Sequence, residues 1–292
     1  MEGRVKKIPF TKASGAGNDF VILDNRAGEL PPDQAALARL LCDRHFGVGG
    51  DGLLILEPSQ KCDFLMKYYN ADGSYGGMCG NGGRCVARYA FLRHLAGPVM
   101  TFEALDFVYR AEVLGEQVRL SMKDPASLRT YLDIRVEGLP SSAIHFVDTG
   151  SPHLVVVVDT VDRIDVAEYG RLLRHHEQFA PAGTNVNFIQ MLHRTIIKIR
   201  TYERGVEAET LACGTGSVAS ALVTAIVAGG DPPIKVGVRS GEELVVSFQR
   251  GETGITGVTL QGSAHMLFEG EIEIDDARMA VVSTASRGLA GG

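Results

Sequence analysis

Two copies of one short pattern, a cysteine followed by a glycine, a polar residue and a second glycine, constrain this chain more than any other feature. They read CGNG at residues 79–82 and CGTG at residues 213–216. Each copy leads directly into an apolar segment of helical character. A cysteine at the first turn of a helix faces unpaired N–H groups and the positive end of the helix dipole, which favours its thiolate. Two such elements, at Cys79 and Cys213, predict a pair of facing thiols.

A second repeated pattern supports an internal duplication. Residues 10–24 and 146–159 each place a glycine turn before an apolar strand that ends in aspartate. The matching pairs are Gly17 with Gly150 and Asp24 with Asp159, and the spacing of each pair agrees to within one position with the spacing of the two cysteines. Spacings this similar predict two copies of roughly 134 residues each. We place the boundary between two similar domains in the polar stretch near residues 123–130.

Composition excludes several classes of protein. At 292 residues the chain is long enough for two domains with buried cores. Its net charge of −6 and the lack of a basic patch argue against nucleic-acid binding. We expect no signal peptide, because residues 1–9 lack an apolar core, and no membrane span, because the longest apolar run, residues 218–228, is too short. Five cysteines without a C-x-x-C pair indicate reduced thiols in the cytoplasm.

Hydrophobic periodicity predicts a few helices among many short strands. One helix is predicted within residues 30–46, with Asp33 as its N-cap, and another over residues 165–178. The segment 218–228 is apolar almost all round, which is typical of a helix enclosed by a sheet. The small, glycine-rich residues 283–292 predict a disordered tail.

The paired thiols suit one kind of chemistry, the transfer of a proton from one face of a carbon to the other. One cysteine must be a thiolate that abstracts the proton, and the other a thiol that donates one. Backbone N–H groups at the two helix starts can hold a substrate carboxylate and stabilise the charge that develops on it. We interpret the other cysteines, Cys42, Cys62 and Cys85, as structural. A metal site formed by Cys79, Cys85 and a histidine is disfavoured, because their spacing matches no usual site.

Seven motifs along the chain carry a family resemblance. They are GAGNDF (15–20), NADGS (70–74), CGNGGRC (79–85), GSPH (150–153), NVN (185–187), YER (202–204) and ACGTG (212–216). In these motifs, over residues 8–274, the chain resembles the diaminopimelate epimerase family, whose members interconvert LL- and meso-diaminopimelate. The resemblance implies a cytoplasmic isomerase of lysine and peptidoglycan precursor biosynthesis that acts on a small amino-acid substrate. It implies neither a metal nor any cofactor, pyridoxal phosphate included.

The resemblance also implies a fold and a domain arrangement. The fold is α+β, with two similar domains, each a mixed sheet curled around a central helix, and the active site lies in the cleft between them. The N-terminal domain is expected to comprise residues 1–125 and about 264–280, and the C-terminal domain residues 126–263. The last strand thus returns to the first domain. A homodimer is left open as the assembly.

The family's functional residues transfer to matching positions of this chain. Cys79 and Cys213 correspond to the two acid/base cysteines, while His153 and Glu203 correspond to residues that assist the thiols. The positions that match substrate-binding residues are Asn18, Asn70, Gly80, Asn81, Ser151, Asn185, Arg204, Gly214 and Thr215. Among these, Arg204 is suited to pair with the distal carboxylate through two parallel hydrogen bonds.

Three departures from the family pattern bear on the choice of substrate. Some members have Gln where this chain has Gly52, and many have Asn where it has Ser151. The segment 205–210 is one residue longer than in some members. None of these changes touches the thiol pair, so they affect the distal pocket rather than the proton transfer.

Four alternatives belong to other classes. A racemase of another amino acid on the same scaffold is the nearest, although Arg204 and the asparagines argue against a rewritten distal pocket. A related isomerase or cyclase without paired thiols, and a non-catalytic ligand-binding relative, are disfavoured because both cysteines are present. A pyridoxal phosphate enzyme is disfavoured because no lysine occupies a recognisable cofactor setting.

Overall fold

A computed structural model describes residues 5–252, 254–275 and 279–288 of the chain, without the side chains of residues 284–288. Its helices are α1 (Gln34–Cys42), α2 (Gly80–Leu92), α3 (Val166–Arg174) and α4 (Gly214–Val227), with 3-10 helices at Val161–Arg163 and Glu177–Phe179. Backbone packing divides the chain into two compact units. The first runs up to Leu120 and resumes at Ser263, and the second is Ser121–Gly262.

Strands make up most of the regular secondary structure in the described residues. In the first half of the chain they are β1 (Val5–Gly15), β2 (Asn18–Asp24), β3 (Gly52–Glu57), β4 (Phe64–Asn70), β5 (Val99–Ala104), β6 (Phe107–Leu114), β7 (Gln117–Ser121) and β8 (Ser127–Arg129). In the second half they are β9 (Ser141–Asp148), β10 (Pro152–Val158), β11 (Asn185–His193), β12 (Ile196–Glu203), β13 (Ala208–Thr210), β14 (Ile234–Gly237), β15 (Glu243–Gly251), β16 (Gly254–Ser263), β17 (His265–Asp275) and β18 (Ala280–Gly288).

The first unit is a mixed sheet with a repeating order of strand directions. β1 pairs antiparallel with β2, which runs parallel to β3, and β3 pairs antiparallel with β4. β4 then runs parallel to β5, which pairs antiparallel with β6, and β6 with β7. The parallel steps are bridged by α1 and α2, as parallel pairs require a crossover. On the other side of β1, β17 pairs antiparallel with it.

The second unit repeats this order. β9 pairs antiparallel with β10, β10 runs parallel to β11, and β11 pairs antiparallel with β12. β12 runs parallel to β14, which pairs antiparallel with β15, and β15 with β16. α3 and α4 bridge the parallel steps. β8 pairs with β9 as β17 pairs with β1. The two units thus share one connectivity, and the predicted fold class of two similar α+β domains is confirmed.

Each unit has one helix enclosed by its own sheet. α2 packs against β1, β2, β3, β4, β6 and β17, and α4 packs against β9, β10, β11, β12, β14 and β15. Contacts to strands spread across the whole sheet mean that the sheet curls around the helix. α4 carries no charged residue, and its side chains are buried nearly all round, which is the pattern of an enclosed helix.

The other two helices cover the outside of the sheets. α1 begins after Asp33, whose carboxylate accepts a hydrogen bond from the Ala36 N–H at 2.9 Å, so the predicted N-cap is confirmed. It buries Leu37 and Leu41 against a core cluster that includes Val21. α3 begins in the same way after an aspartate and ends at Arg174, earlier than predicted.

The structure differs from the sequence analysis at two further points. α2 and α4 begin at Gly80 and Gly214, several residues before the predicted apolar segments, because the glycine-rich motifs themselves form the first turn of each helix. Residues 283–288, where we expected disorder, continue β18. The backbone of β17 pairs with them, and this pairing does not depend on which side chains they carry. The rest of the expected tail, residues 289–292, lies outside the described residues. Within the described ranges, no helix is long and apolar enough to cross a membrane.

Candidate active site

The two cysteines occupy equivalent positions at the start of the enclosed helices. Cys79 is the N-cap of α2 with φ −122° and ψ 123°, and Cys213 is the N-cap of α4 with φ −122° and ψ 115°. Their carbonyl oxygens accept the first helical hydrogen bonds, from Gly83 N at 2.8 Å and from Ser217 N at 2.9 Å. The backbone that presents each thiol to the positive end of a helix is therefore nearly the same in both units.

The second glycine of each motif allows the helix start to pack tightly. A Cβ atom on Gly82 would lie 3.0 Å from Leu54 Cδ2, and one on Gly216 would lie 2.3 Å from Asn187 Oδ1. Such distances leave no room for a side chain unless a neighbour moves. Close packing, rather than helix propensity, accounts for glycine at these positions.

A chain of hydrogen bonds leads from the interior of the second unit to the Cys213 sulfur. His153 is fully buried, and its Nε2 lies 2.9 Å from Thr215 Oγ1. The same hydroxyl oxygen lies 3.5 Å from Cys213 Sγ. On the other side of the ring, His153 Nδ1 lies 3.1 Å from Asn187 Nδ2. The order is therefore Asn187, His153, Thr215 and Cys213.

The partners of Asn187 fix the direction of this relay. Asn187 Nδ2 also donates to Leu154 O at 2.9 Å, and Oδ1 accepts from Thr201 Oγ1 at 3.0 Å, so the amide has one consistent orientation. His153 Nδ1 must then accept, and Nε2 carries the proton and donates to Thr215. The Thr215 hydroxyl is then free to donate toward the sulfur, and a hydrogen bond donated in that direction would favour the thiolate.

The charge state of His153 agrees with this direction. Burial, and then the positive charge of Arg204, lower the pKa of His153 to about 3. The imidazole is therefore neutral near pH 7, with a single proton on Nε2. A neutral His153 contacts the Thr215 hydroxyl and places no positive charge of its own beside Cys213.

Two other predicted residues of the second unit, Ser151 and Arg204, are joined by a third, Asn185. Asn185 is buried, and its Nδ2 donates to Ser151 Oγ and to Pro152 O, each at 3.0 Å. Its Oδ1 accepts from the backbone N–H of Arg204 at 2.9 Å. Both amide hydrogens are thus engaged, and only the carbonyl oxygen has capacity left. Asn185 holds Ser151 and Arg204 in position, a part that the sequence analysis did not assign to it.

Glu203 lies next to the segment that leads into the second cysteine. It is the last residue of β12, and its Oε2 accepts a hydrogen bond from Thr210 Oγ1 at 2.9 Å. Thr210 ends β13, shortly before Cys213. The structure thus connects this carboxylate to the chain just before the second N-cap.

In the first unit, a partly buried hydrogen-bond network lies at the start of α2. Asn81 Nδ2 donates to Asn18 Oδ1 at 2.6 Å, and Asn18 Nδ2 donates to Asp51 Oδ2 at 3.0 Å. Arg84, which is fully buried, donates from Nη2 to Asn81 Oδ1 at 2.9 Å and from Nη1 to Gly80 O at 3.3 Å. The predicted residues Asn18, Gly80 and Asn81 are therefore brought together.

Sequence reasoning gave no role to Arg84 or Asp51. The available signal for Arg84 was an arginine inside a motif otherwise made of small residues. Asp51 lies in an ionic cluster with Arg44, whose Nη2 is 2.8 Å from its Oδ1. Burial raises the pKa of the neighbouring Asp19, but hydrogen bonds from Arg44 and Lys12 outweigh it and hold that pKa well below its usual range. This cluster anchors the start of β2, where Asn18 lies.

Asn70 completes the first unit's predicted residues. It is the last residue of β4 and pairs with Gly52 of β3, which in turn pairs with Phe20 of β2. Residues in register across strands share a face, and Asn18 lies two residues before Phe20 on that face. Asn18 and Asn70 therefore lie on one face of the sheet.

The remaining cysteines, unlike Cys79 and Cys213, do not lie at the start of a helix. Cys42 is buried, and burial raises its pKa to about 12. Cys85 is fully buried within α2, and Cys62 is partly exposed. Among the described residues, no group of three or more His, Cys, Asp or Glu side chains could hold a metal ion.

Solved structures share this fold at low sequence identity. A phenazine biosynthesis protein of the PhzF family from Bacillus anthracis aligns with a TM-score of 0.73 at 16% identity, over 91% of this chain and 99% of its own. A hydroxyproline epimerase from Agrobacterium vitis, with bound trans-4-hydroxy-L-proline, aligns with a TM-score of 0.68 at 16% identity, over 94% and 93%. At this level of identity, the two matches establish the fold alone.

Sequence comparisons identify the family. The family model described as diaminopimelate epimerase matches residues 10–131 and 145–267. A diaminopimelate epimerase from Chlorobaculum tepidum is 44% identical over 269 residues, which cover 89% of this chain and 100% of that protein. One from Aquifex aeolicus is 40% identical over 277 residues, covering 91% and 98%. Since these matches span both units and all the motifs described above, the chain belongs to the diaminopimelate epimerase family.

Proposed function

We propose that this protein interconverts LL-2,6-diaminopimelate and meso-2,6-diaminopimelate by two-base proton transfer at the α-carbon, with Cys79 and Cys213 as the acid/base pair. The two compact units are its two epimerase domains. The observation that carries the proposal is the matched pair of N-cap cysteines, each at the start of an enclosed, glycine-rich helix. Membership of the family supports the reaction and the substrate.

Each step uses groups of this chain. One thiolate removes the α-proton, and the opposite thiol donates a proton to the other face of the carbon, which inverts it. Backbone N–H groups of the first helical turns, at Gly80 and Asn81 and at Gly214 and Thr215, hold the adjacent carboxylate. They also stabilise the negative charge that spreads onto it as the proton leaves. No cofactor takes part in this scheme.

The relay in the second unit supports Cys213 as the thiolate of the resting enzyme. The Thr215 hydroxyl, oriented by His153, directs its hydrogen at Sγ over 3.5 Å. A hydrogen bond to the charged form of an acid lowers the free energy of that form. Cys79 then enters the cycle as the thiol, and the two exchange states with each turnover.

The distal amino-acid end of the substrate requires its own partners. Arg204 offers a guanidinium for the distal carboxylate, and Asn18 and Asn70 offer amide groups. Asn185 and Ser151 support this end through the contacts that position Arg204. Because Arg204 and these amides fit a charged distal group, they favour diaminopimelate over an amino acid with a plain side chain.

The deciding experiment is incubation of the protein with LL-diaminopimelate alone in D2O, followed by chiral analysis and mass spectrometry. We expect a mixture of LL and meso forms, with deuterium at the α-carbon. Cys79→Ser and Cys213→Ser should each nearly abolish epimerisation, whereas Cys85→Ser, in the same helix as Cys79, should retain it. If lysine, glutamate or histidine is racemised as fast as diaminopimelate, the protein is instead a broader amino-acid racemase.

Two attributes of the proposed enzyme remain predictions. Diaminopimelate is a precursor of lysine and of peptidoglycan, so we predict that the protein works in the cytoplasm, where these precursors are made. A homodimer is the assembly left open by the resemblance. Cell fractionation and light scattering of the purified protein test these predictions separately.

A further inference from the structure

Tyr68 lies in a slot formed by two glycines. A Cβ atom on Gly52 would lie 2.5 Å from Tyr68 Cε2, and one on Gly76 would lie 2.4 Å from Tyr68 Cε1. The ring therefore occupies the space that side chains at both positions would need. Phe20 contacts the ring edge-on, with centroids 6.1 Å apart and planes at 79°. These contacts leave the ring little freedom to move.

The hydroxyl of Tyr68 orients Asn70. Tyr68 Oη lies 2.7 Å from Asn70 Oδ1, and because an amide oxygen can only accept, the phenol must donate. Asn70 Nδ2 donates to Ser74 Oγ at 2.9 Å. The amide is thus held at both ends, with its oxygen and nitrogen in defined directions.

The ring lies on the side of the sheet that faces α2. Side chains alternate along β4, so Tyr68 and Asn70 share one face. Tyr68 is paired with Leu54 of β3, and a Cβ atom on Gly82 of α2 would contact Leu54 at 3.0 Å. This face is therefore the one that α2 covers, at the helix end that begins with Cys79.

We propose that Tyr68 is a positioning residue for substrate specificity: through its hydrogen bond to Asn70 it fixes the amide that meets the distal end of the substrate. This inference rests on the proposed function and adds a residue to it. Gly52 has no side chain that could help to hold the distal end of the substrate. The Tyr68 ring occupies the space that a side chain at residue 52 would need, and it holds Asn70 in place instead.

Tyr68→Phe tests the proposal, since it keeps the ring in its slot and removes only the hydroxyl. We expect KM for diaminopimelate to rise about 3- to 10-fold, the loss that corresponds to one ordinary hydrogen bond, with kcat within about twofold of wild type. Tyr69→Phe is the matched control. Its hydroxyl donates to Gln34 Oε1 at 3.1 Å on the other face of the strand, so its KM should not change.

A double variant distinguishes an effect of Tyr68 through Asn70 from a general loss of stability. If Tyr68 acts through Asn70, Tyr68→Phe should have no further effect on KM in an Asn70→Ala background. The preference for diaminopimelate over 2-aminopimelate, which lacks the distal amino group, should also fall in Tyr68→Phe. Equal unfolding midpoints for Tyr68→Phe and Tyr69→Phe would show that the change in KM does not come from lost stability.

Two results would overturn the inference. One is a KM for Tyr68→Phe that matches wild type, and the other is a full additional effect in the Asn70→Ala background. Either would leave the proposed reaction standing, because wild type would still convert diaminopimelate. Failure of wild type to convert diaminopimelate would instead refute the proposed function.

Discussion

Thr215→Val is the substitution that bears most directly on how the second thiol is controlled. Valine has nearly the shape of threonine, so the start of α4 should keep its packing while the hydroxyl between His153 and Cys213 is removed. In the native structure that oxygen lies 2.9 Å from His153 Nε2 and 3.5 Å from Cys213 Sγ. The variant therefore breaks both steps of the relay at once.

The size of the effect follows from these contacts. A hydrogen bond to a charged group contributes about 1.5–3 kcal/mol, and removing the hydroxyl also leaves the N–H of a fully buried imidazole without its acceptor. Since about 1.4 kcal/mol of barrier corresponds to a tenfold change in rate, kcat/KM should fall by roughly 10- to 150-fold. The rate of Cys213 alkylation at pH 7 should fall as well, because the thiolate is the reactive form.

The assay is the conversion of LL- to meso-diaminopimelate, together with iodoacetamide labelling followed by peptide mass spectrometry. Thr215→Ser, which restores the hydroxyl, should recover most of the activity. Thr224→Val is a control in the same helix, since its buried hydroxyl donates only to Ser220 O at 2.8 Å. A folded Thr215→Val enzyme with activity within threefold of wild type, and unchanged labelling of Cys213, would refute the relay.

Three other predictions concern charged groups. Arg204→Ala should lower kcat/KM for diaminopimelate by roughly two to three orders of magnitude, measured by the same assay, because it removes a charged partner. Burial lowers the pKa of His153 from 6.5 to about 3. Between these two pH values the unfolded state binds more protons than the folded state, so the free energy of unfolding should fall as the pH falls from 6.5 to about 3. Urea unfolding of His153→Gln at several pH values should show a shallower slope, by up to about 1.4 kcal/mol per pH unit. Arg84→Met should lower the free energy of unfolding by about 1–3 kcal/mol because it removes the charged donor to the buried Asn81 Oδ1, whereas the exposed Arg135→Met should change it by less than about 0.5 kcal/mol.

The duplication made much of the fold predictable. A constant spacing between repeated motifs says that two segments fold alike, and the structure confirms it in the identical order of parallel and antiparallel pairings. Helix positions followed from local signals such as the aspartate at Asp33. The repeated motif predicted that each cysteine lies at a helix start, as the structure shows, whereas helix propensity alone would not have placed the poor helix formers Gly80 and Gly214 in those helices.

The hydrogen-bond partners of the candidate site residues could not be predicted from the sequence. Whether Asn185 contacts a ligand or holds Ser151 and Arg204 depends on strand register and side-chain direction, which no spacing rule supplies. Asn187 is a similar case, since its position beside His153 follows from the pairing of β10 with β11. A polar residue in a motif can therefore be recognised as important while its part in the site stays open.

The differences between the two copies address a requirement of two-base chemistry. An epimerase of this kind needs one thiolate and one thiol at rest, yet duplication by itself would give both cysteines the same surroundings. Asn81 and Thr215 occupy equivalent positions, each the polar residue between the two glycines of its motif, and they differ in what they contact. The Asn81 side chain turns inward to Asn18 and Arg84, whereas the Thr215 hydroxyl lies beside the sulfur of Cys213. The backbone thus supplies the same helix start twice, and the polar residue between the glycines is a point at which the side-chain contacts of the two motifs differ.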